Sequence, residues 1–201
     1  WVGGRGNSGV YKITLRDESK AALKIYSDNQ GHNRLNAEYN GSSLLAEKGV
    51  AQIPKPLTCN HDLNCAAYEW IEGELVEHPT EENLNQSLML LNQLHNLRHL
   101  AAFSSFPRAS AACFSGLEIE LQLKKRLRKL HEQGEMKGDV KSYIYNELKP
   151  FIAEMIIWSK ERWNEFDDFE RVLTQEDLTL SPSDFGFHNA LEKDSGEIIF
   201  H

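Results

Sequence analysis

Two residues near the end of the chain have the types and the spacing to do chemistry. Asp184 lies five positions before Asn189 in the stretch Leu180–Leu191, which also contains Pro182 and Gly186. In phosphoryl transfer an Asp at such a position accepts the proton of the attacking hydroxyl, and the Asn supplies an oxygen to a nucleotide-bound magnesium ion. The interval alone is common in loops. It gains meaning if a loop that covers phosphates and a partnered lysine lie upstream.

A glycine-rich segment at the start of the chain is the candidate phosphate loop. Its candidate nucleotide-binding residues are Gly4, Gly6, Asn7, Ser8 and Gly9. The same letters fit the dinucleotide-binding fingerprint, but that fingerprint needs a helix directly after the glycines. Here the β-forming run Val10–Leu15 follows instead. The segment therefore predicts either a glycine-rich flap between two strands, folded over nucleotide phosphates, or a plain hairpin turn.

Lys24 is the candidate for the lysine that holds the phosphates. It lies inside a second predicted strand, Ala21–Tyr26. A lone strand lysine is often an edge charge, but a lysine that follows a glycine flap suits contact with the α- and β-phosphates and needs an acidic partner. A helix predicted over Asn33–Lys48, with Gly49 as its C-cap, offers Glu38 and Glu47. We choose Glu38, which lies fourteen residues after Lys24.

The next two strands are predicted near 57–60 and 66–70 and end in a candidate hinge. The main chain of Glu69, Trp70 and Ile71 is positioned to hydrogen-bond the edge of an adenine. We expect the boundary between two lobes here, with residues 1–70 in an N-terminal nucleotide-binding lobe and residues 71–201 in a C-terminal lobe. The acidic side chains that follow, Glu72 and Glu74, are either part of this site or solvated surface charges.

The remainder of the chain is predicted to be mostly helical. Thr80 is expected to cap a helix that runs to about Leu100, and a last long helix is expected from Pro150 to about Phe169. Periodicity predicts core faces on these helices, namely Leu84, Leu88, Leu91 and Leu94 on the first and Ile152, Ile156, Trp163 and Phe166 on the last. A short hairpin is expected from Ala190 to Phe200.

Composition excludes several classes of protein. The 201 residues carry a formal net charge of -8, from 30 acidic and 22 basic side chains, which argues against a nucleic-acid partner. No apolar segment approaches the roughly 18 residues that a membrane span needs. Three cysteines without regular spacing, Cys59, Cys65 and Cys113, suit a reducing cytoplasm.

The order of these features resembles that of a known family. The chain contains, in this order, a glycine flap, a strand lysine, a helix glutamate, a hinge, a helical region and an Asp-to-Asn loop. This order, with the runs Gly3–Lys12, Tyr68–Gly73 and Leu180–Leu191, resembles the aminoglycoside phosphotransferase and choline kinase family. The resemblance spans nearly the whole chain.

The resemblance implies an α+β, bilobal protein-kinase-like fold, with an N-terminal antiparallel sheet and one helix followed by a mostly helical lobe. It also implies ATP-dependent transfer of the γ-phosphoryl group to a hydroxyl of a small molecule, with ATP and Mg²⁺ as cofactors. Lys24 would then hold phosphates, Glu38 would position Lys24, Asp184 would be the catalytic base, and Asn189 would bind magnesium.

Two departures from the family pattern stand out. Pro182 occupies the position two before the base, where the family often has a His. The family also has a second metal-binding Asp on the strand after the hairpin, which counting places at or just past His201. We expect that the natural chain continues beyond this residue. Asp184-Phe185-Gly186 spells the metal-binding tripeptide of protein kinases, but that tripeptide follows the catalytic Asn and does not precede it.

Two alternatives remain open from the sequence. A nucleotide-binding pseudokinase with a regulatory or scaffold role would share the same motifs without catalysis. A plain α+β interaction module would carry them by coincidence. An acidic chain suits a cationic acceptor such as an aminoglycoside or choline, and sugars stay open as acceptors.

Overall fold

The structure is a computed structural model that describes residues 8–27, 34–100, 105–109, 111–132, 138–181 and 184–201. Contacts between residues group the chain into two compact units. Unit 1 comprises Trp1–Pro107 and Thr179–His201, and unit 2 comprises Arg108–Leu178. The functional division into residues 1–70 and 71–201 follows another criterion and stays a prediction.

Unit 1 begins with a four-stranded antiparallel sheet. Its strands are β1 (Ser8–Thr14), β2 (Lys20–Tyr26), β3 (Pro56–Asn60) and β4 (Cys65–Glu69), in the spatial order β1-β2-β4-β3. The turn between β1 and β2 is stabilised by the Asp17 carboxylate, which accepts hydrogen bonds from the main-chain N–H and the hydroxyl of Ser19. The strand pairs β1–β2 and β3–β4 predicted from the sequence are confirmed.

Helix α1 (Arg34–Glu47) packs on this sheet. Leu35, on its first turn, is 1% exposed and joins a cluster with Tyr26, Ala66 and Tyr68. Gly49 ends the helix with a φ of 77°, a left-handed conformation that favours glycine. The predicted C-cap is therefore confirmed, and the helix that carries Glu38 has a fixed face toward the strands.

A second, three-stranded sheet completes unit 1. It consists of β5 (Glu74–Leu75), β6 (Ala190–Glu192) and β7 (Ile198–Phe200), antiparallel and in that order. The β6–β7 hairpin was expected. Strand β5 was not, because two residues are too short to show an alternating pattern.

Helix α2 (Glu81–Asn96) supports this second sheet. Thr80 caps the helix in a reciprocal capping box with Asn83, as its residue type suggested. The Gln86 carboxamide donates to the main-chain oxygen of Gly196 and accepts from the N–H of Ile198, each over 2.9 Å. These two bonds fix the β6–β7 hairpin on α2.

The predicted apolar face of α2 is shifted by about one position. Among the predicted core residues, Leu84, Leu88 and Leu91 are 51%, 54% and 39% exposed, and only Leu94 is buried. The buried face of the helix consists of Asn83, Ser87, Leu90 and Leu94. Two of these residues are polar and are satisfied locally, since Ser87 donates to the main-chain oxygen of Asn83 over 2.9 Å. A prediction based on apolar residues therefore missed the buried face of α2, because two of its members are polar.

Unit 2 contains the remaining helices, α3 (Gly116–Glu132), α4 (Gly138–Tyr143) and α5 (Lys149–Asn164). A π-helical segment, Ile144–Leu148, joins α4 to α5. Ser115 accepts a hydrogen bond from the N–H of Glu118 and so caps α3.

The predicted core face of α5 is wrong for its two aromatic members. Trp163 is 40% exposed and Phe166 is 87% exposed, and α5 buries no residue fully. The helix ends at Asn164, so Phe166 lies beyond the helical register on which the prediction relied. Phe169 is the buried aromatic residue of this region, and Trp163 packs edge-on against its ring at 5.8 Å.

None of the helices in the described ranges combines the length and the apolar character that crossing a membrane requires.

Candidate active site

The ammonium of Lys24 and the carboxylate of Glu38 form a direct ion pair. Lys24 lies on β2, which has neighbours on both sides in the sheet, and Glu38 lies on α1. Their side chains are 20% and 30% exposed. Partial burial makes such a pair stronger than one on an open surface. Glu38 is also approached at 3.6 Å by Arg34, one turn earlier on the same helix.

The loop that carries Asp184 has an unusual backbone. Asp184 adopts a φ of 58°, in the left-handed region where Asp and Asn are the tolerated side chains. The side-chain amide of Asn189 donates to the main-chain oxygen of Asp184 over 2.9 Å. This bond uses the nitrogen of the Asn189 carboxamide and turns that side chain back onto the loop. The carboxylate of Asp184 is 79% exposed and thus accessible to a substrate.

Aromatic residues anchor the same loop to the second sheet. Phe185 and Phe187 pack against Phe200 of β7, with ring centroids 4.6 and 6.3 Å apart. Phe200 is 7% exposed and belongs to the core cluster that includes Leu90 and Leu94 of α2. Burial of these rings holds the strained backbone of Asp184 in place.

His188 is a neighbour of Asp184 that the sequence analysis did not single out. Its Nε2 lies 3.4 Å from Oδ1 of Asp184. A Cβ added at Gly186 would meet the His188 ring at 2.8 Å, so the ring needs the bare glycine backbone beside it. The i to i+4 spacing of Asp184 and His188 was the available signal, but it carries little weight outside a helix.

The residue after β7 contacts the loop that carries Asp184 and Asn189. The N–H of His201 donates to the main-chain oxygen of Asn189 over 2.9 Å. The pKa of His201 lies below its usual range because partial desolvation disfavours the charged ring, and the positive charge of Lys24 lowers it further.

The predicted hinge directly follows β4. The N–H of Glu69 donates to the main-chain oxygen of Lys55 over 2.8 Å, so this group is not available to an adenine. The N–H of Ile71 bonds to no residue in the described part of the chain. Ile71 itself is 8% exposed. For the predicted hinge, this leaves the N–H groups after Glu69 as the candidate donors.

Glu72, which directly follows the predicted hinge, forms ion pairs with two lysines of the first sheet. The carboxylate of Glu72 accepts from Lys20 at 2.6 Å and from Lys12 at 3.2 Å. The pKa of Glu72 falls to about 2 because of the hydrogen bond from Lys20, with further contributions from Trp70 and Lys12. The Lys12 ammonium also lies 4.3 Å from the centroid of the Trp70 ring. Glu72 is therefore more than an isolated surface charge.

Part of the candidate phosphate loop lies outside the described residues, namely Gly4, Gly6 and Asn7. Ser8 and Gly9, predicted to lie in the turn, are already paired in β1, opposite Tyr26 and Ile25 of β2. The turn prediction is wrong for these two residues, because the ladder of β2 extends through Tyr26 and provides partners for them. Their contact with phosphates stays a prediction.

The available ligands suit a nucleotide with magnesium. Magnesium prefers oxygen ligands and commonly takes only one or two protein side chains together with phosphate oxygens and water. The side-chain nitrogen of Asn189 donates a hydrogen bond to the main-chain oxygen of Asp184, so the side-chain oxygen is left for such a cation. Within the described ranges, no three His, Cys, Asp or Glu side chains gather into a cluster for a metal ion. The donors present therefore fit magnesium held partly by a nucleotide.

The fold places this site in a known structural class. No protein-family model matches the sequence, and no curated protein matches it either. Solved structures do resemble the chain, and they have the protein-kinase-like fold. At the identities found, the likeness shows the fold alone, and it confirms the mixed α+β architecture with an N-terminal antiparallel sheet and a helical region toward the C-terminus.

Two of these structures are small-molecule kinases. An aminoglycoside phosphotransferase from Alicyclobacillus acidocaldarius is 15% identical with a TM-score of 0.58, and the match covers 99% of this chain and 60% of that one. An ethanolamine kinase from Plasmodium vivax is 14% identical with a TM-score of 0.53, and the match covers 97% of this chain and 53% of that one. The chain thus spans less than two thirds of the length of either neighbour.

Proposed function

We propose that this chain is part of a phosphotransferase that moves the γ-phosphoryl group of ATP to a hydroxyl of a small molecule in the cytoplasm. The observation that carries the proposal is the ion pair between Lys24 and Glu38 in the same compact unit as the Asp184–Asn189 loop. Phosphoryl transfer needs a lysine held by a helix glutamate, and it needs an accessible Asp near an Asn. The two structural neighbours, which are small-molecule kinases by name, support this class of reaction.

Each residue has a defined task in this proposal. Lys24 neutralises charge on the α- and β-phosphates, and Glu38 keeps its ammonium at the right position. The main chain of the hinge residues Glu69, Trp70 and Ile71 receives the adenine, and the segment from Gly4 to Gly9 covers the phosphates. The side-chain oxygen of Asn189 would hold magnesium bound with the nucleotide, and the ion would supply charge neutralisation at the phosphate oxygens.

Asp184 acts on the acceptor. The acceptor oxygen forms a bond to the γ-phosphorus while the bond from that phosphorus to the β–γ bridging oxygen breaks, and ADP leaves. The hydroxyl proton passes to the exposed carboxylate of Asp184. The side chain of Asp184 is 79% exposed, which suits an acceptor that approaches from solvent.

One observation favours a second candidate, a nucleotide-binding pseudokinase. Counting along β7 places the second metal-binding carboxylate of the family at or just past His201, and imidazole is a poor ligand for magnesium. A protein with Lys24, Glu38 and the hinge but without that carboxylate would bind ATP and turn it over poorly.

Nucleotide binding is the experiment that tests the shared part of both candidates. We expect ATP with magnesium to raise the unfolding temperature of the protein, and Lys24→Ala to abolish most of that rise. Lys48→Ala is the matched control, since Lys48 is exposed in the turn after α1. Lack of any shift with ATP, with or without magnesium, would exclude both candidates. A shift without ADP release for any acceptor would favour the pseudokinase.

A further inference from the structure

One face of the first sheet carries the side chains of Lys12, Lys20 and Lys24. Lys20 and Lys24 lie four residues apart on β2, and side chains at this spacing point to the same face of a strand. Lys12 of β1 is paired with Ala22, midway between them, so it belongs to that face as well. The ammonium of Lys24 is neutralised by Glu38 of α1. The other two lysines have a different partner.

That partner is the carboxylate of Glu72. Its Oε1 atom lies 2.6 Å from the ammonium of Lys20 and 3.2 Å from the ammonium of Lys12. One carboxylate oxygen thus lies between two positive charges that would otherwise repel each other. The side chains of Glu72, Lys20 and Lys12 are 64%, 50% and 37% exposed. Each pair alone would contribute little at such exposure, so the contacts matter as a network.

Lys12 extends this network to the hinge itself. Its ammonium donates to Glu72 and also lies 4.3 Å from the centroid of the Trp70 ring, within cation–π distance. Ile71, between Trp70 and Glu72 in the sequence, is 8% exposed. Burial therefore holds the middle residue of this segment, and Lys12 contacts the side chains of both its neighbours.

We propose that Glu72 is a positioning residue, which ties the hinge to β1 and β2 through Lys12 and Lys20. Glu72 holds β2 at Lys20, and Glu38 holds the same strand four residues further on, about 13 Å along it. The strand thereby sets the spacing between the end of the site that receives the base and the end that receives the phosphates. The assignment of these two ends rests on the proposed function, whereas the ion pairs and the ring contact do not.

Fluorine NMR of the protein labelled with fluorotryptophan tests this proposal without nucleotide. The chain has four tryptophans, so Trp70 gives one resonance, which Trp70→Phe assigns, and the other three are internal references. In Glu72→Gln we expect the Trp70 resonance to shift and to sharpen, because Lys12 loses its anchor and the ring becomes more mobile. High salt should move the wild-type resonance in the same direction, since exposed ion pairs are screened.

Glu77→Gln is the matched control, because Glu77 is an exposed glutamate just beyond the hinge that forms no ion pair in the described part of the chain. We expect it to leave the Trp70 resonance unchanged. Wild-type position and width of this resonance in Glu72→Gln, or an equal change in Glu77→Gln, would overturn the proposal. So would a change of all four resonances in Glu72→Gln, which would show general loosening.

Adenosine gives a second measurement, because it carries no charge and its own binding has no direct response to salt. We expect Glu72→Gln to bind adenosine roughly threefold more weakly than the wild type at low salt, the scale of an exposed ion pair, and equally at high salt. Equal affinities at low salt, or a difference that salt does not reduce, would contradict positioning through the ion pairs. If the wild type binds neither adenosine nor MgATP, the proposed function fails, but the Trp70 resonance still decides the role of Glu72.

Discussion

The side-chain amide of Asn189 donates a 2.9 Å hydrogen bond to the main-chain oxygen of Asp184. Asp184 has a φ of 58°, so this bond stabilises a backbone conformation that few residues adopt. The candidate base and the candidate magnesium ligand are thereby joined by one contact. A change at Asn189 should affect both.

Replacement of Asn189 separates these two effects. Asn189→Ala removes the cation ligand and the bond to Asp184, whereas Asn189→Asp keeps ligand oxygens and loses only the N–H donor. We expect the alanine variant to bind MgATP about 10-fold to 100-fold more weakly, the usual effect of a lost contact at a metal site. The aspartate variant should retain most of the magnesium-dependent affinity. Calorimetric titration with ATP, in the presence and absence of magnesium, measures both.

Asn92→Ala, on the exposed face of α2, is the matched control for this series. Wild-type affinity and unchanged magnesium dependence in Asn189→Ala would show that this residue is not a ligand.

Gly73 tests how closely the segment after the hinge must approach β6. A Cβ at this position would lie 2.7 Å from the main-chain oxygen of Glu192. We expect Gly73→Ala to lower the free energy of unfolding by about 1 to 3 kcal/mol, because backbone must move to relieve the overlap. Chemical denaturation measures the change.

Gly138→Ala is the control, since a Cβ there meets no atom within 4 Å. Gly138 is the first residue of α4, where alanine should be neutral or slightly stabilising. Equal stability of Gly73→Ala and the wild type would contradict the close approach.

Glu120 links two helices of unit 2 and makes their stability depend on pH. It is 6% exposed on α3, and its carboxylate binds Lys124 of the same helix and Lys160 of α5, the latter at 2.8 Å. The hydrogen bond from Lys124, followed by that from Lys160, holds the pKa of Glu120 below its ordinary value of 4.5. A carboxyl group with a lowered pKa in the folded state stabilises the fold above its unfolded pKa and loses this contribution as the pH falls through the folded pKa.

We therefore expect Glu120→Gln to lower stability by about 1 to 3 kcal/mol at neutral pH, with faster hydrogen exchange in α3 and α5. The difference from the wild type should shrink as the pH falls below about 4.5. Glu132→Gln, at the exposed end of α3, should show neither effect. A difference that stays constant between neutral and acid pH would show that the charge of Glu120 does not contribute.

Local signals in the sequence predicted much of unit 1. Turn residues, β-branched runs and caps such as Thr80 and Gly49 act within a few residues, so their outcome can be inferred without tertiary contacts. The partnership of Lys24 and Glu38 was also predictable, because a lysine that holds phosphates needs an acidic partner and the next helix offered one.

Features that depend on tertiary contacts were missed. Strand β5 exists because Glu74 and Leu75 find Glu192 and Leu191 far along the chain. The buried face of α2 includes Asn83 and Ser87, whose polarity hid it. Likewise, nothing local indicates that the hydroxyls of Tyr26 and Tyr68 meet, because they come from strands forty-two residues apart in the sequence.

Transfer of phosphate by the protein, with and without Asp184, tests the central claim most directly. The measurement is ADP release from MgATP with a panel of aminoglycosides, choline, ethanolamine and sugars as acceptors. Asn is tolerated at a positive φ, so Asp184→Asn should keep the loop and bind MgATP normally. We predict acceptor-dependent ADP release by the wild type and a rate about 10²-fold to 10⁴-fold lower in Asp184→Asn, the range expected for loss of a general base. Equal rates in the two proteins, or no acceptor-dependent release by the wild type, would contradict the account.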